Sequence, residues 1–520
     1  MTRYHTNKTS IETAAAAENR RTKRGRLPKQ PAEWAQGGTR AAPSLASHPT
    51  RSAGLVGWAL AVAVLFGLTL ADVRGDTIHV PRDYPTIQAG IDAAKDGDTV
   101  LVADGVYTGE GNHNLSFNGK AITVRSENGP DNCIIDCERE GWSRGFYLQS
   151  CDTESVVKGF TITRANSSGI YCCDSSPTIT NCTITGNTAG YYGGGIYCYN
   201  SDPTITDCTI TGNTAGYYGG GIYCYRSDPT ITNCAITENT AHFGGGIYCY
   251  YNTSPTIINC TITGNTASRG GGIYCYYNTS PTIVNCTIDG NTAEYEGGGI
   301  YCHSESNPTI TNCRIMGNTA SRGGSIYCFR HSDTTITDCT ITENTAEYGG
   351  GIYCSVSYST ITNCRITGNT ASRGGGGIYC FCRSDLTITN CTITGNTAVD
   401  GGGGIYCYDN SDPTITNCIL WDDTPDEICV DSSNPVVTYS DVQGGWPGEG
   451  NIDADPLWVT GPLGDYYLSQ QQCGQPEDSP CLDAGKGRAK KHGLKRKFTT
   501  CTGGMKDKKK VDMGYHYPRK

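Results

Sequence analysis

A unit of about 26 residues recurs along the middle of the chain, and that period restricts the fold more than any other feature. Residues 193–218 display it as GGGIYCYNSDPTITDCTITGNTAGYY. Its central cysteine returns at Cys182, Cys208, Cys234, Cys260, Cys286, Cys313, Cys339, Cys364, Cys391 and Cys418, at steps of 25 to 27 residues. A period that slips by one residue and then recovers describes stacked rungs whose loops accept an insertion. Each unit holds three short runs, GIYCY, PTITN and CTITG, in which apolar or β-branched residues alternate with others. That is the period of a strand, and helical periodicity is missing from the array. Gly triplets, SDP or TSP segments and Asn-containing bends separate the runs.

The expectation is therefore an all-β, single-stranded parallel β-helix, a solenoid with three strands per rung. Ten rungs at about 4.8 Å each place the first and last about 43 Å apart. Strand parity points Ile196, Cys198, Ile205 and Ile210 inward with Cys208, and sends Tyr197 and Tyr199 outward. Ladders of Ile and Cys would then build the core, which explains why Phe numbers only 8 and Met only 4 in 520 residues. The 29 cysteines are an odd count that leaves at least one unpaired. Because they recur with the repeat, they read first as buried core positions rather than as disulfides. No CxxC pair or His at a ligand spacing accompanies them, so neither a metal site nor a cofactor is expected.

Residues 53–71 (AGLVGWALAVAVLFGLTLA) are uncharged and mostly apolar behind a basic flank ending at Arg51. They read as a signal peptide with small residues Thr69 and Ala71 before the cut, or as an uncleaved N-terminal membrane anchor. Either places the body outside the cytoplasm, in a secreted, cell-surface or outer-envelope protein. The net charge of −10 hides an acidic body between two basic ends. An acidic body repels phosphates, so nucleic acid is not expected as a partner. The chain divides into a basic tail (1–52), the apolar segment (53–75), a cap with first rungs (76–150), the repeat array (151–431) and a closing segment (432–520). The last contains a basic insertion at 486–510.

Residues 77–109 (TIHVPRDYPTIQAGIDAAKDGDTVLVADGVYTG) resemble the short capping helix and first rung of pectate-lyase-like right-handed β-helix proteins. The TIxxNTA…GGGIY pattern is similar to the repeats of polymorphic outer-membrane proteins, with Ile where that family usually has Phe. Residues 451–485 with 511–518 (VDMGYHYP) resemble the closing segment of exported bacterial β-helices. The resemblance implies a right-handed solenoid. No C-terminal membrane barrel is legible in the sequence, so an autotransporter mechanism is not implied.

A lyase on such a fold needs acidic calcium ligands and a base, and a hydrolase needs convergent carboxylates. The tripeptides NTD and GHG, expected of hydrolases on this fold, are absent. The densest acidic cluster, Asp422, Asp423, Asp426, Glu427 and Asp431, reads as a solvated terminal loop. Arg269, Glu294, Glu296, Arg322, Glu347, Arg373 and Asp400 alternate in charge down one edge, which specifies register. The Thr-x-Thr rows resemble ice-binding faces but need no explanation beyond strand propensity.

Tyr197, Tyr223, Tyr248, Tyr274, Tyr301, Tyr327, Tyr353, Tyr379 and Tyr406 form an unbroken outward row, continued backwards by Tyr171. A second row holds Tyr199, Tyr225, Tyr250, Tyr276, Phe329, Phe381 and Tyr408. The first row is the expected ligand-binding surface, suited to a neutral polysaccharide or a surface protein. The functional expectation is a non-catalytic surface or envelope protein, adhesin-like. The alternative is a carbohydrate-active enzyme, a polysaccharide lyase or glycoside hydrolase.

Overall fold

The computed structural model describes residues 75–519 except 140, 495, 496, 508 and 509. The basic tail and the apolar segment 53–71 lie outside the described residues. From Gly75 onward the chain winds into a parallel β-solenoid in which three long sheets of 15, 14 and 12 strands run along the stack. One helix, α1 (Ile87–Ala93), precedes the regular rungs. The Thr86 hydroxyl caps it by accepting from the Ala89 amide at 3.3 Å, and Ile87 and Ile91 are buried.

A representative rung contains β1 (Ile196–Tyr199), β2 (Thr204–Thr206) and β3 (Thr209–Thr211). Like residues stack on like: Ile196 pairs with Ile222, Ile205 with Ile231 and Ile210 with Ile236. The insertions are absorbed between strands, so register survives the slips in period. Ile196, Cys198, Ile205, Cys208 and Ile210 all join one buried core, as the strand parity requires.

One residue turns β2 into β3, and its backbone explains the Asn at that place. Asn233, Asn259 and Asn285 hold φ of 55°, 54° and 55°, a left-handed conformation that Asn and Asp tolerate better than other side chains. Their amides also form an outer ladder, in which Asn259 Nδ2 donates to Asn233 Oδ1 at 3.3 Å.

The repeat cysteines are buried thiols, and along the array a central Sγ accepts from the backbone of the rung before it, as Cys260 does from the Cys234 amide at 3.4 Å. A disulfide joins Cys473 to Cys501, both in the closing segment. That segment lies against the flank of the solenoid. The His516 amide donates to Asn363 Oδ1 at 2.7 Å, and Asn363 Nδ2 donates to the His516 carbonyl at 3.0 Å.

Candidate functional site

The tyrosine row faces away from the solenoid core but is not a surface. Tyr223, Tyr248, Tyr274, Tyr301, Tyr327, Tyr353 and Tyr379 are buried in an aromatic cluster of their own; Tyr171, Tyr197 and Tyr406, at and near the ends of the row, are half-buried. The Gly triplet is the cause. Gly270 has φ of 65°, and a Cβ there would stand 2.6 Å from Tyr274 Cβ, so the turn lies directly on the ring row. Tyr192, Tyr218, Phe243 and Tyr348 from those turns cover the row from outside. The rings also use their own faces: Tyr274 and Tyr301 stack with centroids 4.6 Å apart and planes at 12°. The accessible row expected from parity is therefore corrected to a second, minor core.

The second aromatic row is half-buried and stacked in the same way, with Tyr250 and Tyr276 at 5.5 Å and 10°. Stacking along the solenoid axis leaves ring edges and hydroxyls for solvent, whereas a sugar packs on a ring face. His303 occupies one step of this row, and burial holds its imidazole down at about 3, helped by Arg330 and Arg269. The charged edge resolves into an ion-pair bridge. Glu296 is buried and receives Arg269 Nε at 2.5 Å and Arg322 Nη2 at 2.6 Å, which ties three successive rungs. This edge is structural.

The acidic cluster behaves differently from a solvated loop, and the repeat itself shows why. The Asn of each TGNTA or TENTA turn points inward and is fully buried, from Asn187 through Asn396. Each side chain donates Nδ2 to the next Asn Oδ1 and to an Ile carbonyl below, as Asn369 does to Asn396 at 2.9 Å and to Ile341 at 3.0 Å. In the last rung ILWDDTP takes the place of TITGNTA, and Asp423 falls at the Asn position. Its Oδ1 receives the Asn396 backbone N at 2.7 Å and Nδ2 at 2.9 Å.

Asp423 Oδ2 then occupies the place of the amide nitrogen. It lies 2.6 Å from where a Cβ of Gly404 would be, just as Asn396 Nδ2 lies 3.3 Å from that point on Gly377. Neither it nor Glu427 Oε2 beside it receives a donor from the rest of the described residues, and both atoms are buried; the two carboxyls can hydrogen-bond each other only through a proton on one of them. Glu427 Oε1 accepts from the Asp423 amide at 3.1 Å. Burial pushes the Asp423 carboxyl well above the usual carboxylate range, and Glu427 pushes it further. Burial raises Glu427 to about 7, with the charges of Asp422 and Asp426 adding to the rise. Two carboxyls this close cannot both ionise cheaply, so the pair holds a proton near neutral pH.

This pair borders a cavity of about 540 Å³ lined also by Asp422, Asp426, Gln443 and Trp446. Gln443 Oε1 receives the Asp422 amide at 2.7 Å, and Trp446 is half-buried against the end of the core. Asp422 and Asp426 are exposed, and Asp431 lies outside the cavity lining. The expectation of a loop solvated throughout is thus corrected at Asp423 and Glu427. What could have found them is the alignment of Asp423 with the buried Asn of every earlier rung.

A search of curated proteins found no match. Among solved structures, the chain is similar to the A-module of the Azotobacter vinelandii mannuronan C-5 epimerase AlgE6, at 15% identity, 67% of this chain, 94% of that one and a TM-score of 0.43. It is similar to the catalytic unit of a thermostable GH87 alpha-1,3-glucanase from Streptomyces thermodiastaticus, at 16% identity, 73% and 69% coverage and a TM-score of 0.40. A mannuronic acid specific polysaccharide family 6 lyase from human gut microbiota is similar at 14% identity, 69% and 90% coverage and a TM-score of 0.37. The description "Right handed beta helix region" matches residues 95–218, 192–336 and 324–445, well over half of the chain, and the chain belongs to that family.

Proposed function

We propose that the protein is a carbohydrate-active β-helix that hydrolyses a neutral polysaccharide in the cavity at the end of its repeat array. The observation that carries this reading is the buried Asp423–Glu427 pair, which borders a cavity with the exposed Asp422 and Asp426 at its edge. Glycoside hydrolysis requires this division between an acid that keeps its proton at working pH and a carboxylate that does not. Glu427 would donate its proton to the glycosidic oxygen as the C1–O bond breaks. A water would attack C1 and give its proton to the Asp426 carboxylate, so that one water is consumed per bond cleaved. Trp446 offers an aromatic side chain beside the carboxyls for sugar packing.

Substrate charge follows from the same residues. Among the described residues no Lys or Arg lines the cavity, and four acidic side chains do. Uronate polymers would meet repulsion there, and no basic residue of the lining stands ready to abstract a proton for a lyase. A neutral glycan is the partner this charge favours, on a protein exported to the cell surface or beyond.

The test is release of reducing ends by the full chain from a panel of neutral polysaccharides, with Glu427→Gln beside it. Activity on at least one polymer, reduced by about 100-fold or more in the variant, supports the reading. Equal activity in the variant removes Glu427 from the chemistry. Binding without release by the wild type would replace hydrolysis with the adhesin-like reading, for which the half-exposed second aromatic row and the cavity are the remaining surfaces.

A further inference from the structure

In the closing segment, away from the cavity, Asp507, Asp512 and His516 bring one ligand atom each to within 4.8 Å of one another, and all three are buried. The sequence pattern is D-x4-D-x3-H, which no cysteine-based search would find. The chain around them is fixed from several sides. The Met513 amide donates to the Cys481 carbonyl at 3.0 Å, Gly514 to Asn417 at 2.8 Å and Tyr515 to Thr392 Oγ1 at 3.0 Å.

The imidazole is oriented for ligation. His516 Nδ1 faces the Gly514 carbonyl at 3.0 Å, which places the ring proton on that nitrogen and leaves a lone pair on Nε2. Nε2 is fully buried and has no hydrogen-bond partner. Its nearest carboxylate oxygen, Asp507 Oδ2, stands 3.4 Å away. Charge-assisted N–H···O bonds close to about 2.7–2.9 Å, so this contact is too long for a good one. It equals the edge of a tetrahedron around a zinc ion, about 3.4 Å for bonds of about 2.0–2.1 Å.

The carboxylates are held in the manner of metal ligands. Asp512 Oδ1 accepts from the Asp483 amide at 2.7 Å and Oδ2 from Thr500 Oγ1 at 2.5 Å, while Asp507 Oδ2 accepts from the Asp512 amide at 3.1 Å. Charge points the same way. A protonated imidazole would leave one buried negative charge uncompensated beside two carboxylates, whereas a divalent cation balances both.

We propose that Asp507, Asp512 and His516 form a structural site for a divalent cation of the zinc type, which fixes the loop of the closing segment whose backbone bonds Thr392 and Asn363 of the solenoid. One nitrogen and two oxygen donors suit zinc better than calcium or magnesium, which prefer all-oxygen sets. The site is independent of the cavity and its proposed hydrolysis.

The test uses the full chain, stripped with a chelator, dialysed against zinc and analysed for metal by mass spectrometry. Wild type should retain one more zinc than His516→Gln or Asp512→Asn, a difference that subtracts any zinc held by the thiols. His492→Gln, at a half-buried histidine of the same segment, should match wild type. Zinc should also slow amide exchange of residues 498–518 in wild type and not in His516→Gln. Equal zinc in wild type and both variants, or no zinc effect on wild-type exchange, would overturn the proposal.

Discussion

Asp423 completes the buried ladder begun by the asparagines, accepting from Asn396 through both its backbone N at 2.7 Å and its Nδ2 at 2.9 Å. An amide in that position would donate onward; a carboxyl can do so only while protonated. The ladder therefore links the stability of the solenoid to the acid that the cavity offers.

Stability should fall as pH rises through the window this pair sets. Glu427 is raised to about 7 in the folded protein, against about 4.3 for an unfolded glutamate, and Asp423 is raised as well. The native state then binds more protons than the unfolded chain across that interval, so stability is lost with increasing pH. Thermal melts at pH 5 and pH 8 should show a higher melting temperature at pH 5. Asp441, raised to about 6 by burial, acts in the same direction. The difference between pH values should accordingly shrink, not vanish, in the Asp423→Asn, Glu427→Gln double variant.

A central ladder position has no exposed end to absorb a defect. Asn291 receives two bonds from Asn265 and donates to Ile262 at 2.9 Å and Asn318 at 3.0 Å. Asn291→Leu should cost about 2–4 kcal/mol, since it leaves buried polar groups above and below unpaired. Urea unfolding would measure it, and a loss under about 1 kcal/mol would contradict the ladder's role.

Burial turns the tyrosine row from a binding prediction into a stability prediction. Tyr301 is 3% exposed, and Tyr301→Ala should cost about 3–5 kcal/mol by leaving a cavity in the stack. Tyr277 is 50% exposed, and Tyr277→Ala should stay within about 0.5 kcal/mol of wild type. Equal effects in chemical denaturation would show that the turns do not cover the row.

Ile288 lies between Ile262 and Ile315 in a fully buried column. Ile288→Asp should be among the most severe single changes, beyond about 4 kcal/mol, because an unpaired charge enters the stack between rungs. Retention of the wild-type melting temperature would mean that the column is not packed as described.

Much of the architecture was legible because one rung repeats: alternation in IYCY and TIT settled strand, parity and core, and Ile196 and Cys198 lie where it put them. Parity distinguishes two sides of a sheet, however, and does not reveal what folds back over the outer one. Tyr274 was therefore readable as outward but not as buried beneath the Gly270 turn. The acidic cluster was visible as charge, while its chemistry depended on one alignment, Asp423 against Asn396, and on Glu427 turning back toward it. His516 and Asp512 carried no repeat signal, and their meeting with Asp507 arises only from the path of the closing segment.

The central claim is that the carboxyl pair at the ladder's end keeps a proton at near-neutral pH. Infrared difference spectroscopy between wild type and the Asp423→Asn, Glu427→Gln double variant at pH 6 reads this directly. The expected result is a protonated-carboxyl C=O band in the wild type that is missing from the variant and weakens as the wild type is titrated through pH 7, where Glu427 ionises. A wild-type spectrum showing only ionised carboxylates for these two residues at pH 6 would contradict it.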